Sequence, residues 1–179
     1  MFSIIETVNQ LSSLAAIGML IGGAVLIIDW YTRRALAGVV RDYALYAVFL
    51  LTAFGSVLTL VYSEVFGYTP CSLCWLQRAF LYPQVFLFGT ALYVRDTTVA
   101  LYGAVLSGVG FLVAVYQHLL QLGVRLQVSD TELINCTLAG GDCAEVTFIE
   151  FGFVTFPFIA AGLFFFLFAL CFYRYKVAV

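Results

Sequence analysis

Residues Tyr43–Ser63 read YALYAVFLLTAFGSVLTLVYS, without one charged side chain. About 20 such residues are enough to cross a bilayer as an α-helix. Inside hydrocarbon the backbone must satisfy its own polar groups, so a lone spanning segment has to be helical. The same pattern recurs on either side. No charge occurs from Thr7 to Ile28, from Ala79 to Val94, from Thr97 to Val124, or from Phe151 to Tyr173. The third of these stretches is long enough only if it starts at Trp75, which puts Arg78 near its first turn. Five spans result, at roughly 11–30, 43–65, 75–94, 98–121 and 153–173. The lack of strict apolar–polar alternation argues against a membrane β-barrel.

Composition agrees. The chain has 179 residues, 64% hydrophobic and only 10% charged. An ordinary soluble domain is about 45–50% apolar and about 25% charged. Too little polar surface remains to cover a soluble fold, and disorder is excluded for the same reason. The net charge of −2 and the absence of a basic run speak against nucleic-acid binding. The expected fold is an all-α integral membrane protein.

The few cations set the expected orientation. Of the eight Lys and Arg, Arg33, Arg34, Arg41, Arg95, Arg174 and Lys176 fall on one side of a five-span alternating topology. Only Arg78 and Arg125 fall on the other. The positive-inside rule therefore places the N-terminus outside and the C-terminus in the cytoplasm. The leader Met1–Gln10 has no basic residue, so the first span does not read as a cleaved signal peptide.

Four of the five cysteines then sit on the outer side. Cys71 and Cys74 form Cys-Ser-Leu-Cys just before span 3. Cys136 and Cys143 flank a short loop containing Gly140-Gly141. Disulfides persist on the oxidising side of a membrane. Two structural staples are one reading, and a four-thiolate metal site is another. Thiol–disulfide exchange is the third. A Cys-x-x-Cys at a helix start has a depressed thiol pKa, because free N–H groups and the helix dipole favour a thiolate. Arg78 is four residues beyond Cys74, on the same helix face, where a cation favours a Cys74 thiolate. The glycine pair makes the second loop pliable, and both its cysteines are expected to be exposed. Cys171, near the inner end of span 5, reads as a packing residue.

The run Cys71-Ser-Leu-Cys74-Trp75-Leu-Gln77-Arg78, with Tyr82-Pro83 after it, resembles the DsbB/BdbC family of quinone-linked disulfide bond formation proteins. So do Gln117-His118-Leu-Leu-Gln121, Gly141-Asp142-Cys143-Ala144-Glu145 and Phe151-Gly152 before Pro157. The likeness covers about residues 43–173. The short Cys136–Cys143 loop is similar to the BdbC-like branch. Vitamin K epoxide reductases also pair loop cysteines with a quinone-facing Cys-x-x-Cys, but in the reverse order. The resemblance implies an antiparallel four-helix redox domain at 43–179, with 1–42 as an additional N-terminal helix and cytoplasmic loop outside it.

The resemblance further implies a relay in a prokaryotic plasma membrane. A DsbA/BdbD-like thioredoxin-fold thiol oxidase reduces the Cys136–Cys143 disulfide through Cys136. Cys143 attacks Cys71, and the freed Cys74 passes electrons to a quinone, ubiquinone or menaquinone. No metal is implied. Arg78, His118 and Cys74 are the expected quinone contacts. An ionisable group inside a span is functional by default, although Arg78 at the interface also fits snorkelling. His118, the only histidine, suits a proton or hydrogen-bond donor, and it equally suits packing. Gln117 and Gln121 flank it and either orient it or cap the helix. Trp75 and Tyr82 suit a ring pocket or an interface belt.

Overall fold

In the computed structural model, which describes residues 2–126, 143–144, 146 and 149–178, regular structure is helical. The elements are α1 (Phe2–Thr32), α2 (Ala37–Leu60), α3 (Ser72–Val94), α4 (Val99–Arg125) and α5 (Phe156–Ala178). A π-helical turn, Val61–Val65, extends α2. All five expected spans are helices. The first begins well before residue 11, because nothing between Phe2 and Gln10 breaks a helix.

Four helices are long and apolar enough to cross a membrane on their own composition: Ile5–Thr32, Ala37–Val65, Val99–Arg125 and Phe156–Val177. The third span, α3, is the least apolar of the five. This helix of 23 residues reaches about 35 Å at 1.5 Å per residue. Gln77, Arg78, Pro83 and Gln84 dilute its hydropathy. Arg78 and Gln84 are buried inside the protein, where polar side chains can be satisfied. Gln84 donates to Phe80 O at 2.9 Å and accepts from Ser107 Oγ at 3.1 Å, tying α3 to α4.

Helices α2, α3, α4 and α5 form an antiparallel ring, and α1 packs on the outer side of α5. α5 therefore touches α1, α2 and α4, and Phe164 and Leu167 on it are almost fully enclosed. Small residues let the α1 and α5 backbones approach. A Cβ at Gly162 would stand 2.8 Å from the carbonyl oxygen of Ala16, so only glycine fits there.

One end of the bundle is locked by Asp29. It accepts from Tyr173 Oη at 2.6 Å and from the amides of Ala35 and Leu36, each at 3.1 Å. That closes the turn between α1 and α2 and ties it to the last turns of α5. The start of α1 consequently lies at the opposite end, beside the end of α2 and the start of α3. Cys71 and Cys74 are at that end.

Candidate functional site

Pro70 precedes the helix start, and Cys71 follows in extended conformation as the N-cap of α3. Its sulfur accepts the amide of Cys74 at 3.4 Å, the role a Ser or Asp side chain usually has at this position. Cap and third helical residue are thus the two cysteines. This spacing brings their sulfurs to 3.0 Å in the dithiol form.

Gln117 of α4 reaches across to both sulfurs. Its Nε2 lies 3.2 Å from Cys71 Sγ and 3.4 Å from Cys74 Sγ. Gln77 Nε2 donates to Gln117 Oε1 at 2.7 Å, which turns the amide N–H group toward the sulfurs. Gln117 is 2% exposed, so this amide is a buried donor dedicated to the dithiol. Sequence reasoning placed Gln117 only beside His118. The usable signal was two glutamines, Gln77 and Gln117, inside otherwise apolar helices at the depth of the cysteines.

Cys143 was expected to be exposed, and that expectation is corrected. It is 1% exposed, and its side chain is hydrogen-bonded with the Cys71 sulfur. Cys143 is thus enclosed beside the sulfur that caps α3. Cys136 lies outside the described residues.

Cys71 stands outside the spanning helix, and its thiol is pulled below the ordinary value. The main cause is the Cys74 thiol donating to its sulfur. Burial opposes the effect, the Cys74 amide adds to it, and Cys143 works against it. The thiolate form of Cys71 is therefore easier to reach than that of an ordinary thiol. The pH midpoint for iodoacetamide labelling of Cys71 is expected below that of an ordinary thiol. Replacing Cys74 with Ala removes the largest lowering contribution and should move the midpoint upward. An unmoved midpoint would contradict this assignment.

Arg78 is 8% exposed. Its Nη2 donates to the carbonyl of Thr59 at 2.9 Å, and its guanidinium lies 5.2 Å from the Trp75 ring centre. Its guanidinium thus meets α2 and a ring of its own helix, rather than the Cys74 sulfur. Thr59 Oγ1 is in turn 2.9 Å from the Tyr82 hydroxyl.

These residues surround a cavity of about 190 Å³. Cys71, Cys74, Gln77 and Arg78 form one wall, and Gln117 and Gln121 another. Thr59 and Tyr62 come from α2 and its π-turn, and Leu163 and Phe164 from α5. Ser12 of α1 also reaches it. His118 is placed elsewhere: its Nδ1 is 3.1 Å from Thr155 Oγ1 and its ring is edge-on to Phe158. It is not among the cavity-lining residues. Cys171 is 1% exposed and packs beside Gly103, far along α5 from the dithiol.

A buried, helix-capping dithiol with a third cysteine against it is chemically suited to disulfide exchange. The model of the family described as "Disulfide bond formation protein DsbB" matches residues 41–174. The chain belongs to the DsbB family. It is 38% identical over 113 residues to the "Probable disulfide formation protein" of Oceanobacillus iheyensis, covering 63% of this chain and 74% of the relative. It is 32% identical to the "SPbeta prophage-derived disulfide bond formation protein B" of Bacillus subtilis, covering 64% and 73%. A "Probable disulfide formation protein" of Chlamydia muridarum is 33% identical, covering 70% and 87%. No solved structure matches the chain. As a DsbB-family member the chain is a multi-pass membrane oxidoreductase of disulfide formation.

Proposed function

We propose that this DsbB-family protein is a protein-disulfide:quinone oxidoreductase that regenerates a soluble thioredoxin-fold thiol oxidase. One observation carries the reading. The Cys71–Cys74 pair has Cys143 against it and a mostly apolar cavity beside it. It has one neighbour suited to deliver electrons and one space suited to receive them.

The relay conserves bonds and electrons. A partner thiolate attacks Cys136 of the Cys136–Cys143 disulfide, and Cys143 leaves as a thiolate. Cys143 attacks Cys71, breaking Cys71–Cys74 and releasing Cys74. The partner's second thiolate resolves the mixed disulfide at Cys136 and departs oxidised. Cys136 then attacks Cys143, restoring the loop disulfide and expelling Cys71. Exchange is faster when the leaving thiol has a low pKa, which is the state favoured at Cys71. The Cys71–Cys74 dithiol is left holding two electrons and two protons.

A quinone, ubiquinone or menaquinone, supplies a two-electron, two-proton acceptor when bound. The cavity suits its ring: Leu58, Leu81 and Leu163 give apolar walls and Arg78 a buried cation. Arg78 holds its place through Thr59 and can donate to an oxygen gaining charge. Gln117 steadies the sulfur thiolates through its amide. His118 belongs in this proposal only as a donor on the α4–α5 side, behind the wall that Gln117 forms.

The partner works at the extracytoplasmic face of a prokaryotic plasma membrane, with the N-terminus of the chain on that face and the C-terminus in the cytoplasm. The cation distribution supports this orientation.

The test mixes purified protein with a reduced thioredoxin-fold substrate and a quinone. One quinone is expected to disappear per partner disulfide formed. Partner oxidation without quinone loss would overturn the proposal. Arg78→Leu is expected to raise the quinone KM about tenfold, the scale of losing a hydrogen bond from a charged donor. An unchanged KM would remove Arg78 from the site.

A further inference from the structure

The additional helix α1 has an uneven inner face. Asn9, Ser13, Ala16, Gly23 and Leu26 recur at helical spacing and are buried. Its inner half is apolar, as packing against α5 requires. Its outer end is polar, with Asn9 5% exposed and Ser13 fully enclosed. A buried amide in a membrane helix is costly unless it is satisfied, and it then marks a specific partner. Here the partner is Tyr62, whose hydroxyl donates to Asn9 Oδ1 at 2.6 Å. Ser12, one turn further along α1, lines the same cavity as this tyrosine.

Tyr62 lies within the π-helical turn Val61–Val65 that ends α2. Such turns shift the register of the side chains that follow, and they recur at functional sites. The Tyr62 ring packs edge-on against Phe156, with centroids 4.7 Å apart, and against Phe66 at 5.4 Å. Ring and hydroxyl are therefore both held. Tyr62 and Ser12 line the same cavity as Cys71, Cys74 and Arg78.

We infer that α1 is a wall of this cavity: Ser12 closes its side, and Asn9 positions Tyr62, so the helix sets the affinity for the quinone. The inference rests on the reading of the cavity as a quinone site. It assigns a purpose to α1 that a lipid-facing support helix would not have. Asn9 is a positioning residue, since it acts through Tyr62.

Binding is measured on the full-length protein as quenching of Trp75 fluorescence by added ubiquinone or menaquinone analogues. A Trp30→Phe background leaves Trp75 as the sole tryptophan. Asn9→Leu is expected to weaken binding about tenfold, the scale of one buried hydrogen bond. Asn9→Asp keeps the acceptor oxygen and should restore most of it. Ser12→Phe should weaken binding by a similar factor by filling the space. Leu14→Ala, on the lipid-facing side of α1 at 57% exposure, should leave binding as it was. Exchange of disulfides with the partner in the absence of quinone, still present in Asn9→Leu, would show that its fold is intact. Equal binding by the parent, Asn9→Leu and Ser12→Phe proteins would overturn the role of α1. A parent protein that binds no quinone at all would instead overturn the quinone reading on which the role depends.

Discussion

A Cys74→Ser, Cys136→Ser protein is expected to trap a disulfide between Cys71 and Cys143. Its turnover should fall more than about a hundredfold, as for loss of any covalent nucleophile. The expectation follows from burial. Cys143 is enclosed with its side chain on the Cys71 sulfur, so the two stations of the proposed relay are already in contact. Mass mapping of the trapped species under non-reducing conditions decides it. A protein in which Cys71 stays a free thiol after mild oxidation would refute transfer through this pair. Each single Cys→Ser change among Cys71, Cys74, Cys136 and Cys143 should lower turnover to the same floor, because the proposed relay needs all four sulfurs. A Cys136→Ser protein that oxidised the partner at full rate would contradict Cys136 as the entry point.

Gln117→Leu should slow turnover by roughly 10- to 100-fold, the range for losing hydrogen bonds to a charged group. Leucine is close in size, so packing is mostly kept while the Gln117 amide on both sulfurs is lost. Loss of the amide also strands Gln77, which donates to it at 2.7 Å. The labelling midpoint of Cys71 separates this chemical role from a structural one. It should rise in Gln117→Leu, because a donor to the thiolate is gone, and Gln117→Glu should not rescue it. Turnover within twofold of the parent would show that the amide is spectator packing.

Much of the molecule was legible along the chain. The uncharged runs locate α1, α2, α4 and α5, since a charge inside hydrocarbon is excluded so strongly that its absence maps the spans. Cys71 and Cys74 were legible because a cap-to-third-residue spacing is local: one turn of helix makes the pair whatever else the fold does. α3 was harder. Its span had to be extended to Trp75 to reach membrane length, because Gln77, Arg78 and Gln84 are polar side chains that the tertiary structure hides.

Other features depended on contacts between distant segments. Arg78 was read as the partner of Cys74 from their spacing of four, yet spacing on a helix says only that two residues share a face. The carbonyl of Thr59, on α2, is what its guanidinium meets. Cys143 looked exposed because it follows a glycine-containing polar stretch, and its burial depends on a contact with the distant start of α3. His118 stood out as the sole histidine, while its neighbour Gln117, turned by one residue's rotation on the helix, faces the sulfurs.

The sequence by itself determined a helical, multi-pass membrane protein, the capped dithiol at the start of α3 and the membership of a disulfide-forming family. The first two follow from hydropathy and short-range geometry and the family from its motifs, none of which needs knowledge of neighbours. Packing between helices sets Cys143 on Cys71, Gln117 on both sulfurs, and Ser12 of α1 on the cavity that Tyr62 of the π-turn also lines. Those are meetings of groups from different helices, and packing in three dimensions alone brings them together.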